Sequence, residues 1–171
     1  MVGGLLLFAA GKHQKQDNHF IFPGAEMYPE LLIVPMREEL TRAGARELRT
    51  AAEVDAALAD KNGTTLVVVN SVCGCAAGKM RPGLRMALLS GARPDRVYTV
   101  FAGQDREATE RARQHFGGYP PSSPSLALFR NGELVHFVPR SEIESRTAED
   151  IAGKLADVFE RYCGKVVAAN D

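Results

Sequence analysis

The sequence predicts an α/β fold, one mixed β-sheet sandwiched by α-helices. Three observations carry this. Strand-like runs alternate with helical periodicities along most of the chain, a pattern that builds parallel strand pairs with helices between them. Residues Thr64–Asn70 (TTLVVVN) are almost continuously β-branched or apolar, as a strand covered on both faces requires. Finally, Asn131-Gly132 separates two apolar runs, a hairpin signal that adds an antiparallel portion.

In chain order, Pro35 can open a helix as its first residue, with Met36, Leu40 and Ala43 at helical spacing until Gly44. Residues 45–50 (ARELRT) hold a short edge strand. Thr50-Ala51-Ala52-Glu53 is a capping box, and Val54, Ala57 and Leu58 give the helix behind it one apolar stripe. The bend at Asn62-Gly63 ends that helix before the central strand. Residues 73–89 read as a helix that Pro82 kinks or breaks. Residues 97–101 form a second strand, and 107–116 a helix with Asp105 as its cap. After the loop GGYPPSSP, strands at 125–129 and 133–138 flank the Asn-Gly turn. A second capping box, Thr147 to Asp150, opens a last helix whose Ile151, Leu155, Val158, Phe159 and Tyr162 share a face. We find no repeat, no linker and no second domain. Residues 27–171 read as a single domain, and 1–26 as a disordered or cloning-derived extension.

Composition narrows the function. Lys+Arg and Asp+Glu both number 21 in 171 residues, so no net field draws the chain to nucleic acid or an anionic membrane. No stretch reaches the roughly 20 apolar residues of a membrane span. The short apolar run at 5–10 lacks the basic start of a signal peptide. The expected location is cytoplasmic, where thiols stay reduced and close cysteine pairs are catalytic, sensing or metal-binding. There are three cysteines, and two of them, Cys73 and Cys75, flank Gly74 in LVVVNSVCGCAAGKMRPG (66–83).

Cys73 falls where the central strand hands over to a helix, the crevice in which α/β sheets place ligands. The free amides at a helix N-terminus favour a thiolate, so its pKa should fall below the ordinary value of about 8.5. Within a regular helix, residues two apart lie about 5.4 Å apart but point about 200° away from each other. Cys73 is therefore expected just outside the helix, with Gly74 supplying a bend that a Cβ would resist. A Cys73–Cys75 bond would close a small, strained ring, which suits an exchanging disulfide better than a structural one. The pair admits three readings: inert thiols, a soft-metal chelate, or thiol–disulfide exchange. The four histidines show no paired ligand spacing, and Cys163 is the one further cysteine, so no metal site is expected. A second segment, SSPSLALFRNGELVHF (122–137), places Ser123-Pro124 just before a strand, compatible with a cis bond beside the cysteines or with an ordinary loop proline. Lys79 and Arg81 are candidates for attracting anions or are plain surface charge. Cys163 reads as a bystander, and His136 as packed on the hairpin.

The combination of NSVCGCAAG (70–78) with GYPPSSPS (118–125), and SPSLALFRNGELV (123–135) with its proline before a strand, resembles the bacilliredoxin family over about residues 27–163. The resemblance implies a thioredoxin-like fold with an extra N-terminal helix. It implies a thiol–disulfide oxidoreductase that removes bacillithiol from S-bacillithiolated client proteins, with Cys73 attacking, Cys75 resolving, and Gly74, Ser123 and a cis-Pro124 positioning the substrate. The expected partners are S-thiolated clients and a low-molecular-weight thiol, bacillithiol being substrate or co-substrate; no cofactor is implied. Because the motif is not Cys-x-x-Cys, a more oxidising couple than that of thioredoxin is expected. The competing functions are a protein disulfide isomerase, a de-thiolase for another small thiol, and a soft-metal-binding module.

Overall fold

Strand β2 (Thr64–Asn70) lies at the centre of the sheet with all seven residues buried. The structure is a computed structural model and describes residues 28–164; the expectation for 1–26 falls outside these residues. Before β2 come α1 (Glu30–Thr41), β1 (Arg46–Glu47) and α2 (Ala51–Ala59). After it come a π-helical turn (Ala76–Met80), α3 (Arg81–Leu89), β3 (Arg96–Phe101) and α4 (Arg106–Gln114). The chain ends with β4 (Ser125–Arg130), β5 (Glu133–Val138), α5 (Arg140–Glu144) and α6 (Ala148–Cys163). The sheet order is β1-β3-β2-β4-β5, with β1, β3 and β2 parallel and β4 and β5 antiparallel. This is the expected thioredoxin-like α/β arrangement, with α1 as the extra N-terminal helix.

Alternation along β2 splits the core. Leu66 and Val68 face α3 and α6, packing with Met80, Leu84, Leu155 and Phe159. Val67 and Val69 face α2 and α4, packing with Val54, Ala108, Ala112 and Phe116. Burying one such aliphatic side chain contributes about 1.5–3 kcal/mol, so a strand lined on both sides anchors both layers. Both capping boxes form: Thr50 Oγ1 accepts from Glu53 N, and Thr147 Oγ1 from Asp150 N. The hairpin turns at Asn131 and Gly132, both with positive φ, as a two-residue turn between twisted strands requires. His136 is half-buried on β5 with Nε2 unpartnered, and burial pushes its imidazolium down.

Tertiary packing moved three local expectations and added one element. Helix α1 starts at Glu30, so Pro35 lies inside it. Ile33, Arg37 and Leu40 form its buried face, and that face holds the turn ahead of the proline; the Leu31 carbonyl that loses a donor belongs to a residue 90% exposed. At Pro82 the active helix stays continuous but changes from π to α register. The Arg81 amide bonds to Ala76 O, five residues back, and this π register lets the helix restart with the proline in its first turn, where its N–H is not needed. Asp105 sits at the head of α4 but makes no capping bond, because Arg37 takes both its oxygens at 2.7 and 3.0 Å. The same buried guanidinium reaches Glu47 and lies 5.1 Å from the Phe101 ring, tying α1 to the sheet. Helix α5, unforeseen, fills the turn between β5 and α6.

Helices α3 and α6 meet at Gly83, where an added Cβ would stand 2.7 Å from Ala148 O and 2.9 Å from Ile151 Cγ2. Gly83→Ala is expected to cost about 1–3 kcal/mol from overpacking, against an alanine helix-propensity gain of about 1 kcal/mol. The urea midpoint should fall; an unmoved midpoint would show that α6 yields.

Candidate functional site

The end of β2 builds the site. Asn70 is the last strand residue and is fully buried, and its side chain organises the turn that follows. Its Nδ2 donates to Met36 O at 3.1 Å, while its Oδ1 accepts from the Ser71 amide at 2.9 Å and from Arg81 Nη1 at 3.2 Å. Arg81 also donates to Ser71 O at 3.1 Å and pairs with Glu39 at 2.9 Å. With 2% exposure, Arg81 is neither a surface charge nor an attractant for anions, which corrects both readings of it. It clamps the strand end instead. Lys79 is partly exposed and donates to Glu144 O.

The clamp presents Ser71, whose Oγ lies 3.2 Å from Cys73 Sγ. Cys73 stands in the bend just before the helix, as expected, half-buried and with a free thiol. Burial pushes its thiol up, but hydrogen bonds from Cys75, Ser71 and the Ala76 amide, together with the charge of Arg140, outweigh burial and leave it below the ordinary value. Cys75 moves the opposite way: burial, and the hydrogen bond it gives to the Cys73 sulfur with that sulfur's charge, push it up. The pair is thus asymmetric, one sulfur disposed to ionise and its neighbour to keep the proton.

Gly74 is exposed, its φ is outside the left-handed region, and a Cβ there would meet nothing within 4 Å. The expected conformational need for glycine is therefore not present; its effect is to leave the approach to the two sulfurs open. The Ser123-Pro124 peptide is cis, and Pro124 is buried. Ser123 and Cys73 line one groove of about 480 Å³. Loop 122–124 is tied down from α5: the Arg140 amide donates to Ser122 Oγ at 2.8 Å, and Arg140 Nη1 reaches Ser123 O at 3.5 Å.

Two contributors, Ser71 and Arg140, escaped the sequence reading. Ser71 left a local signal, a hydroxyl at the strand end two residues ahead of the first cysteine. Arg140 left none, since it is delivered by the unforeseen α5. Cys163 ends α6 beside Thr64 and Asp95, and burial holds it protonated. Thr64 begins β2 whereas Cys73 follows its end, so about 20 Å of strand separates them. Among the described residues, no three His, Cys, Asp or Glu side chains gather as metal ligands, and no helix is long and apolar enough to cross a membrane.

A family profile described as disulphide isomerase matches residues 28–163. A bacilliredoxin of Koribacter versatilis is 59% identical over 143 residues, covering 84% of this chain and 99% of its own. A bacilliredoxin of Geobacillus kaustophilus is 54% identical over 140 residues, covering 81% and 97%. Among solved structures, a thioredoxin variant from Halobacterium salinarum NRC-1 aligns with a TM-score of 0.48 at 21% identity, over 70% of this chain and 91% of its own. With the profile spanning most of its length and relatives this similar end to end, the chain belongs to the bacilliredoxin family and is a thiol–disulfide oxidoreductase of thioredoxin-like fold.

Proposed function

We propose that this protein removes a low-molecular-weight thiol, bacillithiol in hosts that make it, from mixed disulfides on client proteins through its Cys-Gly-Cys pair. The observation that carries this is the asymmetric pair itself: a lowered, accessible Cys73 held by Ser71, with a protonated Cys75 against it. The name bacilliredoxin, borne by relatives at 59% and 54% identity, supports the choice of small thiol.

The Cys73 thiolate attacks the bacillithiol sulfur of the mixed disulfide. The client–bacillithiol S–S bond breaks, the Cys73–bacillithiol S–S bond forms, and the client sulfur departs with the electron pair and takes a proton. Once Cys73 is in disulfide linkage its charge is gone, and with it the hydrogen bond and charge that, added to burial, held Cys75 protonated. Cys75 then loses its proton and attacks the Cys73 sulfur, releasing bacillithiol and closing the internal disulfide; alternatively a second bacillithiol attacks the bound bacillithiol sulfur, forming bacillithiol disulfide and freeing Cys73 as a thiolate. On the internal-disulfide route the client mixed disulfide gains two electrons and the enzyme loses two, so an external thiol or partner reductant must restore the pair; on the other route the two bacillithiols leave as their disulfide and Cys73 returns reduced. No organic or metal group takes part, Gly74 and the Ser123-Pro124 backbone border the incoming sulfur, and the reading places the protein in the cytoplasm.

The test uses Cys75→Ala with an S-bacillithiolated client. The client thiol should be released and Cys73 should carry the mass of bacillithiol. A client trapped on Cys73 instead would favour the isomerase reading, which the family description suggests.

A further inference from the structure

The groove in front of Cys73 has a cationic far wall that the exchange steps above do not use. Its about 480 Å³ is the size of a small-molecule site, and it is lined by Cys73, Ser123 and Arg140 on one side and by Arg106, Thr109 and Arg113 of α4 on the other. Arg106 is exposed and makes no ion pair among the described residues. Arg113 gives Nη1 to Glu110, also in the lining, yet its Nε is buried and unpartnered. Arg140 pairs with Glu144. Thr109 is 2% exposed, and its hydroxyl has no hydrogen-bond partner either. Unpartnered buried polar groups each cost about 1–3 kcal/mol, so two of them beside one groove mark a place that a polar ligand completes. The uncapped start of α4 adds partial positive charge at the same wall.

In-line attack on the small-thiol sulfur requires that half of the mixed disulfide to lie against Cys73 while the client points away. Clients differ in surface; the small thiol is the constant part, and the groove fits only a piece of that size. Guanidinium groups pair with carboxylates through matched forks, and three of them outnumber the single Glu110 in the lining. We propose that this groove is a carboxylate-binding subsite, formed by Arg106, Arg113, Arg140 and Thr109, that seats the anionic small-thiol half of the mixed disulfide against Cys73. This rests on the de-thiolation reading above, and it places anion recognition on α4 and α5 rather than on the buried Arg81.

The test compares three mixed disulfides of one single-cysteine client, made with mercaptosuccinate (anionic), 2-mercaptoethanol (neutral) and cysteamine (cationic). Release of the client thiol by the full chain gives kcat and KM for each. The wild type should favour the mercaptosuccinate disulfide over the cysteamine one by roughly tenfold or more in kcat/KM, and 1 M salt should collapse the ratio. Arg106→Ala should lower the ratio of mercaptosuccinate to 2-mercaptoethanol kcat/KM through KM, and Arg106→Lys should restore part of it. Thr109→Val, nearly the same shape, should raise KM for the mercaptosuccinate disulfide without lowering the urea midpoint. Equal kcat/KM on all three disulfides would overturn the subsite while leaving de-thiolation standing. Failure to release the client from any of them would overturn de-thiolation, and the subsite with it.

Discussion

Cys73→Ser is expected to reduce client-thiol release to the uncatalysed background, whereas Cys163→Ser should leave the rate near that of the wild type. A serine hydroxyl keeps the size and the hydrogen bond to Ser71 but cannot enter sulfur exchange. The same position should show its character in the wild type through pH. A thiol of ordinary pKa, about 8.5, is only about 3% ionised at pH 7, and each unit of lowering raises that fraction roughly tenfold while thiolate is scarce. Cys73 is held below its ordinary value and Cys75 above it, so iodoacetamide at neutral pH should label Cys73 first. Raising the pH should speed labelling of Cys73 through a lower range than labelling of Cys75. Ser71→Ala removes a donor 3.2 Å from the sulfur and should shift the Cys73 range upward. Labelling of Cys75 before Cys73, resolved by peptide mass, would reverse the assigned roles.

Arg81→Ala is expected to be the most damaging change away from the cysteines. It would empty a buried volume and leave Ser71 O without its donor and Asn70 Oδ1 with one fewer, for a total of about 3 kcal/mol. Glu39→Gln should cost less than about 1 kcal/mol, because the pair opens to solvent at Glu39, which is 37% exposed, and the glutamine carbonyl can still accept from Arg81 Nε. The contrast isolates the clamp on the strand end from the ion pair. Urea unfolding measures both. The Arg81 variant should also slow labelling of Cys73, since a loosened Ser71 no longer steadies the thiolate. Equal losses in the two variants would assign the stability to the ion pair and remove the clamp.

Features encoded within a few residues could be read directly from the chain. The capping boxes at Thr50 and Thr147, the two-sided apolar run of β2, the Asn131-Gly132 turn and the placement of Cys73 just outside its helix all follow from short-range sterics, periodicity and hydrogen bonding. The motif and its family resemblance pointed to the chemistry for the same reason: two cysteines and a glycine carry it in one stretch.

What the chain could not disclose locally is where its charges end up. Arg81 looked like a surface cation and is buried because Asn70, Ser71 and Glu39 converge on it from other elements. Asp105 looked like a cap and was claimed by Arg37. Arg140 reaches the cysteines through α5, and Arg106 and Arg113 face Cys73 across a groove that exists once α4 has packed beside β2. A side chain's charge is written in its own residue, but its partner, its exposure and hence its energetic effect depend on distances that arise when remote segments meet.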